Sequence, residues 1–205
     1  VVAAGQTSTA VDEGQVRVRA AGGAAALLQA DQRLTVAAEG AGPVETVIWQ
    51  AVAADGQVAP DCQHGGLVIG PRGESLLRAQ RPAADADPVQ IVGAGTPFRG
   101  AAVLQMATDL ELRAEIRVDP AVAWYGLWLQ DQDDQVHYYA HGGKPVAETW
   151  QAIRIPLATA HPNGDPAAPP PAVGDRIRAW RLQFGHPDAA VLVRDLRVVR
   201  VAAEP

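Results

Sequence analysis

The chain has 205 residues, 48% of them hydrophobic, with 17 basic and 23 acidic side chains giving a formal net charge of −6. That is enough apolar material for one large β-domain, or for a small domain plus a medium one. The positive charges are scattered singly, which excludes the clustered cationic footprint of a nucleic-acid binder.

The single Cys62 excludes an intrachain disulfide and a cysteine-based zinc site. No apolar run approaches the roughly 20 residues of a membrane-spanning helix. Of the 17 basic residues only Lys144 is lysine, a bias that with abundant Ala, Gly and Pro reads as a GC-rich bacterial genome. The start at Val1 fits a mature form that has lost a signal peptide, or an excised piece, and the expected location is secreted, periplasmic or cell-surface.

Residues 1–14 are small and polar and read as a flexible lead-in. From Gln15, Val16 and Val18 alternate with Arg17 and Arg19, and Leu34, Val36 and Ala38 form a second alternating run. Between them, Ala24 to Ala30 is weakly helical in pattern, but its flanking glycines and length of about two turns argue against a helix. Thr46 to Ala53 continues with Val47, Trp49 and Ala51 on one face, closed by the Asp55-Gly56 hairpin signal. Residues 15–60 thus hold three or four strands, as a small subdomain or as part of the sandwich that residues 61–205 are expected to form.

From Pro60 to Gly100, short apolar runs at Leu67 to Ile69, Leu76-Leu77 and Val89 to Val92 are strands separated by Gly and Pro. Ala101 to Ala107 is a continuous apolar run, expected as a strand covered on both faces. In Leu110 to Val118, five apolar residues alternate with Glu111, Arg113, Glu115 and Arg117, the period of a half-buried strand. Trp124 to Gln130, Val136 to His141 and Thr149 to Leu157 follow as strands. His161 to Val173, with five prolines in it, reads as an exposed loop. Ile177 to Phe184 and Val191 to Val199 close the chain around a His186-Pro187-Asp188 turn. The fold class this predicts is all-β: an antiparallel two-sheet β-sandwich of jelly-roll type, with little or no helix.

The run from Thr149 to Leu157, a long loop, Ile177 to Phe184 and then Val191 to Val198 resembles the end of galactose-binding-like jelly rolls. These include many carbohydrate-binding modules and the complex I intermediate-associated family. The resemblance covers about residues 96–200 and implies a carbohydrate-binding sandwich without catalysis. Where such modules often carry two adjacent acids on the closing strand, this chain has Arg194-Asp195, which argues against a calcium site there. A concanavalin-like jelly roll is the rival, since Gly65 to Ile69 and Asp109 to Val118 are similar to two of its strands. That resemblance implies a polysaccharide-active enzyme.

All three tyrosines and three of the five tryptophans lie between Trp124 and Trp150. On the strand from Trp124, alternation puts Trp124, Trp128 and Gln130 on one face, with the two indoles about 13 Å apart. His137, Tyr139 and His141 likewise share a face. These six are the candidate ligand-binding residues: aromatic rings to stack on sugar C–H faces, amide and imidazole to bond hydroxyls. The alternative is that both indoles fill the core and Tyr125 points outward. Asp131, Asp133 and Asp134 could offer oxygen ligands to a calcium ion, the one cofactor the sequence admits, or could form a solvated turn. Two histidines four apart on a strand are too distant to share a zinc ion.

A glycosidase needs two carboxylates across a cleft; Glu111 and Glu115 share a face but are expected to point outward among arginines, Asp133 and Glu148 are candidates by location alone, and all four read as surface solubility. Ser8 and Ser75 are the only serines, and no hydrolase or phosphate-loop motif contains them. Trp150 is expected inside the sandwich, which requires a twist near Gln151-Ala152 to bring it round to the side of Ile153 and Ile155. The expected partner is a polysaccharide or glycan. The alternative is a structural or assembly domain that meets a protein partner through a sheet edge.

Overall fold

The computed structural model describes residues 7–11, 15–19, 25–29, 32–37, 40–41, 44–50, 65–80, 90–92, 104–119, 124–133, 135–185 and 190–201. The strands are β1 (Thr7–Val11), β2 (Gln15–Arg19), β3 (Ala25–Gln29), β4 (Gln32–Ala37), β5 (Gly40–Ala41), β6 (Glu45–Gln50), β7 (Gly65–Ile69), β8 (Ser75–Gln80), β9 (Gln90–Val92), β10 (Leu104–Gln105), β11 (Leu110–Asp119), β12 (Tyr125–Asp131), β13 (His137–Gly143), β14 (Gln151–Pro156), β15 (His161–Pro162), β16 (Arg176–Phe184) and β17 (Ala190–Val201). The one helical element among the described residues is a 3-10 turn at Leu157–Thr159. The all-β expectation holds. The chain divides into a smaller unit, Val1–Trp49 with Val198–Pro205, and a larger one, Gln50–Arg197.

In the smaller unit β4 lies between β1 and β6 and also pairs β5, while β2 and β3 form a separate antiparallel pair. Within the supposed lead-in, Thr7–Val11 is a strand in register with Gln32–Val36. Thr7, Thr9 and Val11 are β-branched at every second position, which favours that state. The weakly helical segment is also a strand, since Ala25–Gln29 pairs with Gln15–Arg19. Asp55-Gly56 and the His186-Pro187-Asp188 turn lie outside the described residues.

The larger unit is a sandwich of two antiparallel sheets. One runs β7-β8-β17-β11-β14. The other runs β15-β13-β12-β16, with β9 and β10 on opposite ends of the remaining edge of β16. The alternation read in β11 is the cause of its place. Leu110, Leu112, Ala114, Ile116 and Val118 are buried. The outward side carries ion pairs instead: Arg113 binds Glu111, and Arg194 of β17 binds Glu115.

The facing layer is built from Leu127 and Leu129 of β12, Tyr138 and Ala140 of β13, and Trp180, Leu182 and Phe184 of β16, all buried. Their register makes this one continuous surface: Leu129 is opposite both Tyr138 and Trp180, and Leu127 is opposite both Ala140 and Leu182.

Three expectations need correction. Of the run at Ala101 to Ala107, residues 104–107 are described; there Leu104–Gln105 is a two-residue strand paired with β16, with Leu104 buried and Gln105 exposed, so this part is not covered on both faces. A neighbouring polar side chain at an edge forbids double coverage. Within the five-proline segment, His161–Pro162 joins the sheet as an edge strand beside Tyr138 and Tyr139. A proline is tolerated there because an edge residue needs to bond on one side only.

Trp150 is not interior either. It is half-buried, with the Arg194 guanidinium 4.3 Å from its ring centroid. Arg194 bonds Glu115 on the outward side of β11, and Ala152 is opposite Glu115, so strand alternation runs through without the expected twist. Ile153 and Ile155 go inward and Trp150 stays out with Ala152.

Candidate functional site

The outward face of the sheet β15-β13-β12-β16 is where the sequence candidates meet. Pairing sets them in three rows. Across the middle row His161 stands opposite Tyr139, Tyr139 opposite Trp128, and Trp128 opposite Arg181. One side has His137, Gln130 and Ala179; the other has His141, Gly126 and Gln183. Neighbours along a row are about 4.8 Å apart and rows about 7 Å apart, which follows from strand geometry.

The hairpin that brings β12 and β13 together is closed by a side chain. Asp131 Oδ1 accepts the backbone N–H of Gln135 at 2.8 Å and of Val136 at 3.0 Å, while the Asp131 N–H donates to the Val136 carbonyl at 3.1 Å. Short carboxylates favour turns because they can replace missing backbone partners in this way. Asp133 is exposed, and its carbonyl accepts the Gln135 side-chain amide. Asp134 lies outside the described residues. Among the described residues no three His, Cys, Asp or Glu side chains come together as a metal cluster.

Trp128 does not form an open platform: it is 7% exposed. The Arg181 guanidinium lies 4.6 Å from its ring centroid, and the His137 ring packs against it at 5.2 Å, tilted by 56°. The Gln130 amide and the His137 ring nitrogen are 3.4 Å apart, and Gln130 is 9% exposed. Tyr139, in contrast, is 38% exposed beside Trp128.

Trp124 precedes β12 and its indole lies against two glycines. A Cβ added to Gly185 would sit 2.1 Å from its Nε1, and one added to Gly126 would sit 3.7 Å from its Cζ3. Gly126 is needed for a second reason, since the same Cβ would be 2.7 Å from the Ala140 carbonyl oxygen. Trp124 is half-buried and leans over the Gly126 end of the same face. The pairing of β12 with β13 slips by one residue at Gly142, whereas its pairing with β16 is regular from Tyr125 to Gln130. Tyr125 is not the outward aromatic of the alternative reading. Its ring occupies the space beside Gly142 where a Cβ would also meet Ile155 of the opposite sheet.

All six sequence candidates are therefore on one face, and the sequence missed three neighbours: Arg181, Gln183 and His161. The alternation of Arg181 and Gln183 with Trp180, Leu182 and Phe184 was a usable signal, but which strand lies beside β12 was not. His161 was hidden in a proline-rich loop; its Nδ1 is 2.8 Å from the Ala168 carbonyl, which it meets as a donor.

Comparison with solved structures returns carbohydrate-binding modules. One is a family 30 carbohydrate-binding module, 14% identical over 78% of this chain and 90% of that one, with a TM-score of 0.48. A second is the family 30 module of a cellulosomal cellulase of Clostridium thermocellum, 14% identical over 77% of this chain and 92% of that one, TM-score 0.43. A third is the family 11 module of another cellulosomal cellulase of that organism, 11% identical over 69% and 82%, TM-score 0.39. No protein-family model and no curated protein matches the chain.

The candidate catalytic acids are not on this face. Glu111 and Glu115 bond arginines on the other sheet, Asp133 is in the hairpin loop, and Glu148 is exposed ahead of β14 with its backbone at φ 59°.

Proposed function

We propose that this chain is a non-catalytic carbohydrate-binding domain, taking a polysaccharide or glycan on the outward face of the β15-β13-β12-β16 sheet. The observation that carries the reading is the exposed Tyr139 ring, in one row with Trp128 and set among His137, Gln130, His141 and Gln183. A sugar presents an apolar C–H face and a rim of hydroxyls. An aromatic ring beside amide and imidazole groups meets both demands without having to bury a charge. Trp124, leaning over Gly126, extends the aromatic surface along the strands, and Trp128 supports it from beneath Arg181. The reading carries with it a secreted, periplasmic or cell-surface location, where polysaccharide is met.

A glycan array read alongside titration of tryptophan emission tests it. Binding is expected for at least one glycan, and Tyr139→Ala weakens it by about tenfold or more, which is about 1.4 kcal/mol, without lowering the melting temperature. An array without response and an unchanged emission spectrum would sink the reading.

A second reading, an assembly domain, is favoured by one feature. The edge strand β7 leaves Leu67 40% and Ile69 68% exposed, on the side of β8 that carries the buried Leu77. Sedimentation that shifts with protein concentration, and that Ile69→Lys abolishes, would support it.

A further inference from the structure

We propose that this face takes an uncharged glycan and releases it on acidification, as His137, His141 and His161 gain protons; this rests on the glycan-binding reading above. The first observation is where the histidines are. All three histidines among the described residues surround the exposed Tyr139 ring. His137 and His141 are two residues to either side of it on β13, about 7 Å away, and His161 is opposite it on β15, about 4.8 Å away. Imidazole is the side chain whose ordinary pKa, about 6.5, lies between pH 5 and 8. Among the described residues no position in the three rows is a carboxylate. The cations nearby are Arg181 in the Tyr139 row, Arg178 next to Ala179 on β16, and the exposed Lys144 just past β13. The carboxylates that border the face lie outside its rows. Asp131 is turned into its hairpin, bonded to the Gln135 and Val136 N–H groups, with Asp133 exposed in the same turn. Asp165 and Asp175, in the loop after β15, accept the Ala167 and Ala172 N–H groups at 2.9 and 2.7 Å.

The second observation is what the face offers a ligand at neutral pH. Arg181, the one fixed charge in the rows, is engaged: its guanidinium stacks over the Trp128 ring, 4.6 Å from the centroid, and its Nε is buried. The Tyr139 phenol, the Gln130 and Gln183 amides and the neutral imidazoles both donate and accept, as sugar hydroxyls do. His161 shows what a proton changes. Its Nδ1–H donates to the Ala168 carbonyl at 2.8 Å, so the neutral ring keeps an acceptor lone pair at Nε2, the atom that gains the proton. A pyranose ring over Tyr139 strips water from the surrounding imidazoles, and desolvation disfavours their charged form; the positive charge of Arg181 opposes it further. The occupied face therefore holds protons less tightly than the free one. Glycan affinity is complete on the alkaline side of the imidazole range and is lost as pH falls through it. A single imidazole whose proton affinity drops tenfold in the complex changes glycan affinity by up to about tenfold.

The test measures affinity at pH 7.5 and pH 5.5, at constant ionic strength, with melting temperatures in the same buffers to separate release from unfolding. The probes are three uncharged polymers, β-glucan, xyloglucan and galactomannan, with polygalacturonate as the anionic one, and the glycan array is read at both pH values. Expected is binding of at least one uncharged glycan at pH 7.5, weakened by about tenfold or more at pH 5.5. In the triple variant His137→Gln, His141→Gln, His161→Gln the ratio between the two pH values should fall close to one. Equal affinity at both pH values, tighter binding at pH 5.5, binding confined to the anionic polymer, or a triple variant that keeps the full ratio would each overturn the proposal and leave the glycan reading standing. No binding to any polymer, together with an array without response, would remove both. If the triple variant does not fold or bind, the imidazole C2–H resonances of the unaltered chain decide. Adding the bound glycan should move their titrations to lower pH, and titrations that stay in place would overturn the proposal.

Discussion

Two tryptophans that the sequence presents alike differ in what they do for stability. Trp180 is 1% exposed, beside Leu129 in the inner layer of its sheet, whereas Trp150 is half-buried under Arg194. Trp180→Ala should cost about 3–5 kcal/mol through lost burial and the cavity left behind. Trp150→Ala should cost only about 1 kcal/mol, mostly the lost cation–π contact. Urea unfolding of the two variants side by side checks the order. Asp195 makes a similar point about backbone. It sits at φ 55°, a region in which Asp is tolerated and β-branched residues are not, and its carboxylate bonds Arg197. Asp195→Val should lose about 1–3 kcal/mol, and Asp195→Gly clearly less, because glycine adopts that conformation without strain. Neither the place of Trp150 nor the turn of backbone at Asp195 was legible beforehand. Both depend on what the neighbouring strand brings, and a period of two says nothing about that.

At the scale of elements, alternation was a good guide wherever one side of a strand is wet. The inward set of β11 and the shared face of His137, Tyr139 and His141 came straight from it. β12 was harder to read, because it is buried on both sides from Gly126 to Gln130: Leu127 and Leu129 face the opposite sheet, and Arg181 and His137 cover Trp128. A sequence lists the residues of a face but not the strands laid beside them, so Arg181 could not be assigned to it. The hairpin between β12 and β13 sets the register of the candidate site, and Asp131 holds it through two backbone N–H groups. Asp131→Ala should cost about 1 kcal/mol and loosen the row alignment, seen as faster amide exchange at Gln135 and Val136. Asp131→Asn keeps an acceptor oxygen and should restore most of the loss.

For the molecule as a whole, the burial that makes the sandwich also sets its response to alkali. Tyr138 and Tyr125 both have their phenol pKa raised, chiefly by burial, and for Tyr138 also by the negative charges of Asp175 and Asp131. Folded protein therefore keeps these protons at a pH where the unfolded chain has released them. Their contribution is complete below the ordinary tyrosine value of about 10 and is lost as pH rises through it toward the raised folded values. Denaturation midpoints measured on either side of pH 10 should fall on the alkaline side, and Tyr138→Phe should flatten the fall. The sandwich class was legible from strand count and punctuation alone. The partition of the chain was not, because it depends on where the last strand goes. β17 belongs to the larger unit up to Arg197, while Val198 onward belongs with Val1–Trp49. In genetic terms the larger unit is an uninterrupted reading-frame cassette, and the smaller one is encoded in two pieces that flank it. A ribosome completes the cassette first, so during synthesis the smaller unit waits for its final strand until the whole of the larger one has been made.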